Sequence, residues 1–424
     1  MSEVRVRPST VEGRLRAPGS KSYTHRFLIA AHFASRSSRL RRPLVSDDTL
    51  RTVAALRRLG SRVSVAPGAW TVVPGVGRTG TSATLDCRES GTTLRLVSAA
   101  AAVQPRRFRF VGRGRLPVRP MRPLFDALVD LGATVRRSHP EAALPFELRG
   151  PIHGGSVALD VGQSSQFTSA LLLALPTVLP DSRIRRVGRP VSEPYVRATI
   201  EVLRRRRIAV QEDRGGFRIP GGQTYEAGRD EVPGDASSAA YLWAAAAISG
   251  GRVTVDGVPP DWPQADLAVL DLLERYGAEV ARRGSTVRVE GRARRPFRCE
   301  LSDAPDLYPL AGVLAAAAPG RSELRGAEHV ALKESDRRSE TARLARAMGA
   351  RVRASPAGLS IEGRRDPRPL GVTDLSDHRL VMSAAVGALA ATGTSSIGDA
   401  RAVAKSFPGF FPALRALGAE VVPR

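Results

Sequence analysis

The chain has 424 residues, 42% of them apolar and only 5% aromatic, and a formal charge of +24. That length suggests two domains with cores built from Ala, Val and Leu. Two cysteines without CxxC spacing, Cys87 and Cys299, argue against a disulfide framework and a zinc site. No apolar run is long enough to span a bilayer, and the opening MSEVRVRPST is no signal peptide, so a cytoplasmic protein is expected.

The charge calls for anionic partners. The arginines are spread along the whole chain, and the only tight run, Arg204 to Arg207, has no interleaved aromatics and reads as a solvated helix face. A small, multiply charged substrate drawn in by electrostatic steering fits this better than nucleic acid. Neither a nucleic-acid nor a membrane partner is expected.

Of the 65 basic residues only three are lysine: Lys21, Lys333 and Lys405. Asparagine is absent, which points to a GC-rich coding bias. Under that bias a surface lysine drifts to arginine at little cost. A lysine needed as a compact, rotatable point charge does not, because the planar guanidinium fork does a different job. The three survivors are therefore candidates for chemistry.

In chain order, two signatures recur with a period of about 70 residues. One is a cluster of small polar or acidic residues opening an Ala/Leu-rich helix. It appears as PGSKSYTHRFLIAA, RESGTTLRLVSAA, GQSSQFTSALLLA, PGDASSAAYLWAAAA, SDAPDLYPLAGVLAAAA and LSDHRLVMSAAVGALA. Ser, Thr and Asp are preferred N-caps, and helices so uniformly apolar must be buried. The other is an amphipathic helix closed by a turn and a short strand. It appears as LRRLGSRVSV, LVDLGATVRR, VLRRRRIAVQ, LLERYGAEVA, RAMGARVRA and LRALGAEVVP. Glycine suits the left-handed C-terminal cap, and the third copy has Arg207 there instead.

Six units of strand, buried helix, strand and amphipathic helix predict an α/β protein of two domains with three units each. The predicted division assigns residues 14–233 to the first domain, and residues 1–13 plus 234–424 to the second. Helix N-termini gathered at equivalent places offer free N–H groups and positive dipole ends, which suit phosphate and carboxylate.

Nine strings occur in order: PGSKSYTHR, SGTTLR, RPMRPL, SSQF, VSEPY, GDASSAAY, KESDR, SDHR and AKSFP. Together they resemble the motif set of the EPSP synthase (3-phosphoshikimate 1-carboxyvinyltransferase) family over essentially the whole chain. The resemblance implies two inside-out α/β barrel domains of three βαβαββ repeats, with the active site in the interdomain cleft. It also implies a shikimate-pathway reaction, transfer of the enolpyruvyl group of phosphoenolpyruvate to the 5-hydroxyl of shikimate 3-phosphate, without metal or other cofactor and in a monomer. Carried over by motif, Ser22, Arg26, Ser164, Ser165, Gln166, Ser192, Tyr195, Asp306 and Lys333 would hold shikimate 3-phosphate. Gly91, Arg119, Gln166, Arg337, Arg379 and Lys405 would hold phosphoenolpyruvate, and Lys21 would lie between both ligands. Asp306 would be the base at the hydroxyl, with Asp303 as its competitor. Glu334 would protonate C3 and later remove a proton there, and His378 would either assist or be structural. The family pattern is broken at Ala331 and Leu332, and at His329, where many members carry asparagine. The resemblance further implies that shikimate 3-phosphate binds first and closes the domains, and that glyphosate inhibits because Gly91 leaves it room.

Two other readings compete. A UDP-N-acetylglucosamine enolpyruvyl transferase would carry a cysteine in the stretch 112–119, which reads GRGRLPVR here. An RNA-binding protein on a related repeat would need stacking aromatics, which are scarce.

Overall fold

The computed structural model describes residues 3–75, 80–326 and 328–423. The chain divides into two compact units, one of residues 19–232 and one of residues 1–18 with 233–424. Twelve α-helices lie in the described residues. Those of the 19–232 unit are α1 (Lys21–His32), α2 (Asp47–Leu59), α3 (Gly91–Ala102), α4 (Arg122–Asp130), α5 (Ser165–Ala174) and α6 (Glu193–Arg205). Those of the other unit are α7 (Ala236–Ser249), α8 (Val269–Tyr276), α9 (Tyr308–Ala316), α10 (Arg337–Ala347), α11 (His378–Ala388) and α12 (Phe410–Ala416).

Each unit carries three four-stranded sheets, and every sheet contains one parallel pair at an edge with the remaining pairings antiparallel. Both units thus have the inside-out α/β architecture, with sheets outside and helices inside. Strand alternation sorts the faces. In Arg107–Val111, Phe108 and Phe110 are buried while Arg107 and Arg109 are exposed. The odd-numbered helices are buried on nearly all sides. In α7, twelve of the fourteen residues from Ala236 to Ser249 are buried, most of them alanine, and such small side chains let helices approach closely. The even-numbered helices are amphipathic, with α2 burying Val53, Leu56 and Leu59 while Arg57 and Arg58 face out. The +24 charge therefore sits mainly on outer sheet faces and on these helices.

Residues 3–6 and 12–16 belong to the sheets of the 233–424 unit. Strand Glu3–Val6 pairs with Ser395–Gly398 and Val421–Pro423, and Glu12–Arg16 runs parallel to Arg252–Asp256. Residues 14–16 thus lie in a strand of that unit, a few residues beyond the division placed at 13/14 from sequence. Strand Arg229–Glu231 pairs with Ser38–Arg41 in the 19–232 unit.

The amphipathic helices all end in the left-handed region. Gly60, Gly132, Gly277, Gly349 and Gly418 have φ of 115°, 102°, 107°, 89° and 93°, and Arg207 holds the same place at 57°. A side chain there is strained, and the neighbouring contacts offset it. Arg206 is only 1% exposed, donates to Asp230, Ser38 and the Glu226 carbonyl, and lies 5.8 Å from the Phe27 ring centroid. The reading of 204–207 as a solvated face is therefore wrong at Arg206, which is an internal tether.

Candidate active site

Five of the six buried helices open on a side-chain cap. Ser20, Ser90, Ser164, Asp235 and Asp377 accept from the backbone N–H of Tyr23, Thr93, Gln166, Ser238 and Arg379. The exception is α9, which is entered through a 3-10 turn, Pro305–Leu307, without a side-chain cap. Asp306 lies in that turn and is not occupied with capping.

In the 19–232 unit the candidate residues other than Lys21 lean on neutral groups. Arg26, 2% exposed, donates through Nε to Thr199 at 2.7 Å, through Nη1 to the Ser22 carbonyl at 2.9 Å, and through Nη2 to Ser169 at 3.3 Å and the Tyr195 carbonyl at 2.9 Å. Burial lowers its pKa to about 10. Arg26 thus ties α1, α5 and α6 together, and most of its donors are already engaged. Gln166 bridges the first turns of α3 and α5, accepting from Arg95 at 2.7 Å and donating to Thr92 at 3.1 Å. Arg95 also donates to the Pro120 carbonyl at 2.8 Å and lies 5.3 Å from the Phe167 ring centroid. Ser164 caps α5 and Ser165 opens it. Ser192 precedes α6 at φ 57°, a left-handed conformation that sets the helix entry. Lys21, the first residue of α1, lies 3.2 Å from Asp48. The Asp48 carbonyl accepts from Thr93, which also bonds Ser90 and Thr52. His25, hydrogen-bonded to Thr52, is held neutral by burial with Lys21 and Arg26 nearby.

Gly91 has a local reason. A Cβ there would fall 2.7 Å from Nη1 and 2.8 Å from Cζ of Arg119. The missing side chain makes room for the Arg119 guanidinium, itself 6% exposed.

In the other unit the candidates lean on carboxylates. Arg337, 1% exposed, donates to Asp306 at 2.6 Å, to Glu334 at 2.9 Å and to Asp377 at 2.8 Å. Arg379 donates to the second oxygen of Asp306 at 2.9 Å and lies 5.9 Å from the Tyr241 ring centroid. Asp377 caps α11 and accepts from Ser335 at 3.1 Å. Burial pushes the Asp306 carboxyl up, but Arg379, Arg337 and Lys333 outweigh it and hold the group well below the usual range. Burial likewise opposes the charge on Arg337 and Arg379, yet their carboxylate neighbours keep both firmly protonated. Asp303 is exposed, whereas Asp306 is ion-paired with both Arg337 and Arg379. Glu334 is no exposed helix-start group, since its side chain is 13% accessible and bound to Arg337. His378, 1% exposed, has Nδ1 3.5 Å from Asp377. His329 is pushed down to about 3, by burial first and then by Lys333. Lys405, 8% exposed, ends the 3-10 turn Ala400–Lys405.

Each unit therefore assembles its own candidates from distant sequence. Sequence reasoning missed Asp48, Asp266 and the two hydroxyl partners of Arg26, Thr199 and Ser169. Their identities carry no motif signal, because an internal hydrogen-bond partner is chosen by proximity. No group of three or more His, Cys, Asp or Glu suited to a metal ion occurs among the described residues.

The family model for EPSP synthase (3-phosphoshikimate 1-carboxyvinyltransferase) matches residues 6–414. The chain belongs to the EPSP synthase family. It is 37% identical to a 3-phosphoshikimate 1-carboxyvinyltransferase of Methanocorpusculum labreanum, over 98% of both chains. It is 41% identical to one from Thermococcus kodakarensis, over 97% of this chain and 99% of that one. A solved EPSP synthase from Acinetobacter baumannii superposes with a TM-score of 0.82 at 25% identity, covering all of both chains. Among the described residues no helix is long and apolar enough to cross a membrane.

Proposed function

We propose a division of labour among these residues for the reaction the chain catalyses. That reaction is transfer of the enolpyruvyl group of phosphoenolpyruvate to the 5-hydroxyl of shikimate 3-phosphate, with release of phosphate, in the shikimate pathway to aromatic amino acids. The 19–232 unit holds shikimate 3-phosphate through Ser22, Ser164, Ser165, Gln166, Ser192 and Tyr195, with Arg26 fixing the helices that carry them. Gly91 and Arg119 of that unit, with Arg337, Arg379 and Lys405 of the other, hold phosphoenolpyruvate, and Gln166 touches both ligands. Lys21 neutralises charge from both, and Lys333 contacts the shikimate side. No metal or cofactor is needed for this chemistry, because the leaving phosphate is neutralised by Lys and Arg.

The chemistry needs two proton transfers. Asp306 removes the hydroxyl proton as oxygen attacks C2, and Glu334 delivers a proton to C3, giving a tetrahedral adduct. Glu334 then takes a proton back from C3 as the C2–O bond to phosphate breaks. The observation that carries this reading is the double ion pair of Asp306 with Arg337 and Arg379. A carboxylate held so is a poor base. The carboxylate and phosphate of phosphoenolpyruvate compete for the same two guanidinium groups, and a transferred arginine no longer depresses Asp306. Binding of phosphoenolpyruvate thereby raises the basicity of the group that acts on the hydroxyl of shikimate 3-phosphate, so the base is weak until phosphoenolpyruvate arrives.

A cytoplasmic monomer is the accompanying proposal, supported by the free thiols Cys87 and Cys299, and sedimentation would test the monomer. The decisive assay is phosphate release from phosphoenolpyruvate with shikimate 3-phosphate, run beside UDP-N-acetylglucosamine. Release with the shikimate ester alone, lost in Lys21→Arg, supports the reading. Release only with the nucleotide sugar overturns the substrate.

A further inference from the structure

Asp266 is a buried acid to which the reaction above gives no task. It lies in the 3-10 turn Ala265–Ala268, is 1% exposed, and accepts a hydrogen bond from Ser237 in the first turn of α7 through Oδ2. Gln264, two residues earlier, clamps the same helix end. It accepts from the Ala236 N–H at 3.0 Å and donates to the Gly234 carbonyl at 2.9 Å. The turn is thus already fastened to α7 by an uncharged side chain, and an amide or hydroxyl at 266 would do as well for that purpose. A carboxyl here is costly, because burial first and then the neighbouring Asp306 push its pKa up to about 7.

Two polar atoms of this cluster are left over. Oδ1 of Asp266 is buried and has no hydrogen-bond partner, and neither has Nε of Arg379. One is an acceptor and the other a donor, and the charges of the two side chains attract each other. A buried group without a partner is expensive, so a pair of complementary ones within one cluster points to an arrangement in which they meet. In the resting arrangement Arg379 is turned to Asp306 through Nη2.

We propose that Asp266 is a positioning residue for Arg379, its Oδ1 accepting the Nε–H of Arg379 when the Nη groups leave Asp306 for phosphoenolpyruvate. This rests on the assignment of Arg379 to phosphoenolpyruvate given above. Oδ2 faces Ser237 and carries the proton when the carboxyl is neutral, so Oδ1 remains an acceptor in either protonation state. Held from behind at Nε, the guanidinium presents its Nη edge to the ligand in one orientation, which is the geometry a bidentate contact requires.

The test is a double-mutant cycle on kcat/KM for phosphoenolpyruvate with Asp266→Leu, which keeps the branched shape without the acceptor, and Arg379→Gln. Asp266→Leu alone should lower kcat/KM about tenfold or more, the usual scale for a lost hydrogen bond to a charged group, with KM for shikimate 3-phosphate unchanged. In the Arg379→Gln background it should have no further effect. Asp266→Asn keeps the acceptor and should stay near wild type, and it serves as the second arm should the leucine variant not fold. Additive losses in the cycle, or equal rises in both KM values, overturn the proposal, as does an asparagine variant as impaired as the leucine one. If Arg379→Gln itself leaves kcat/KM for phosphoenolpyruvate intact, the reading of the site fails instead.

Discussion

The two units solve one problem, holding cations in a dry interior, in opposite ways. In the 19–232 unit the buried arginines among the candidate residues and beside them are bound by hydroxyls, carbonyls and an amide, whereas Arg206, which is no candidate, pairs with Asp230. Arg26 uses Thr199, Ser169 and two carbonyls, and Arg95 uses Gln166 and the Pro120 carbonyl. In the other unit Arg337 is surrounded by Asp306, Glu334 and Asp377, and Arg379 by Asp306. Neutral partners satisfy the donors but leave the positive charge in place as a standing attraction for an anion. Carboxylate partners cancel it, so an anion must displace them. On the proposed assignment the first unit would be a preformed receptor, and the second would respond to its ligand, because a displaced carboxylate changes its chemistry.

Asp306→Asn should break the comparison most severely. Steady-state phosphate release should fall by about 10²–10⁴, the scale of a lost general base, while equilibrium binding of shikimate 3-phosphate persists. Binding lost along with rate would mean that Asp306 serves the ligand rather than the proton. Next in size, Arg337→Lys replaces the planar fork that reaches Asp306, Glu334 and Asp377 at once with a shorter point charge, and the broken buried ion pairs should cost about 3–5 kcal/mol in denaturant unfolding. Arg26→Lys, on neutral partners, should cost only about 1–3 kcal/mol by the same measurement. Equal costs would erase the distinction between the units.

Asp266 gives a pH-dependent contrast within the second unit. Its folded pKa, about 7, lies above that of an unfolded aspartate. The unfolded state therefore loses its proton first, and stability falls as pH rises from about 4 through 7. Asp266→Asn removes this loss. It should raise the unfolding free energy by about 2–4 kcal/mol at pH 8 and leave it unchanged near pH 4. A gain of the same size at both pH values would show that packing, not ionisation, is responsible. The smallest effect belongs to the first unit. Gly91→Ala presses on Arg119 and should raise KM for phosphoenolpyruvate about tenfold, roughly 1.4 kcal/mol. Glyphosate inhibition should weaken in parallel. An unchanged KM would detach Arg119 from the ligand.

Much of this was legible in the chain because it depends on local rules. The caps Ser20, Ser90, Ser164, Asp235 and Asp377 and the glycine turns at 60, 132, 277, 349 and 418 follow from N–H capping and from φ preferences, which act over a few residues. The candidates at Lys21 and in KESDR and SDHR stood out by composition and order. Where local rules were followed too far, they misled. Arg206 looked solvated because its neighbours are, and its partner Asp230 lies 24 residues on. Gly91 was expected to make room for a ligand, and the structure adds a neighbour that the sequence did not indicate, the Arg119 guanidinium, which a Cβ there would meet at 2.7 Å.

The sequence by itself determined the repeat, the buried and amphipathic helices and the identity of most ionisable groups at the helix openings. Periodicity and capping are written in neighbours along the chain. Only the tertiary structure decided which charges cancel. Arg337 meets Asp306 and Asp377 across 31 and 40 residues, and Arg379 meets Asp306 across 73. Whether an arginine attracts a ligand or is already neutralised, and whether an aspartate is a base or a counterion, depends on distances of about 3 Å in a medium of low dielectric. Sequence spacing does not encode those distances.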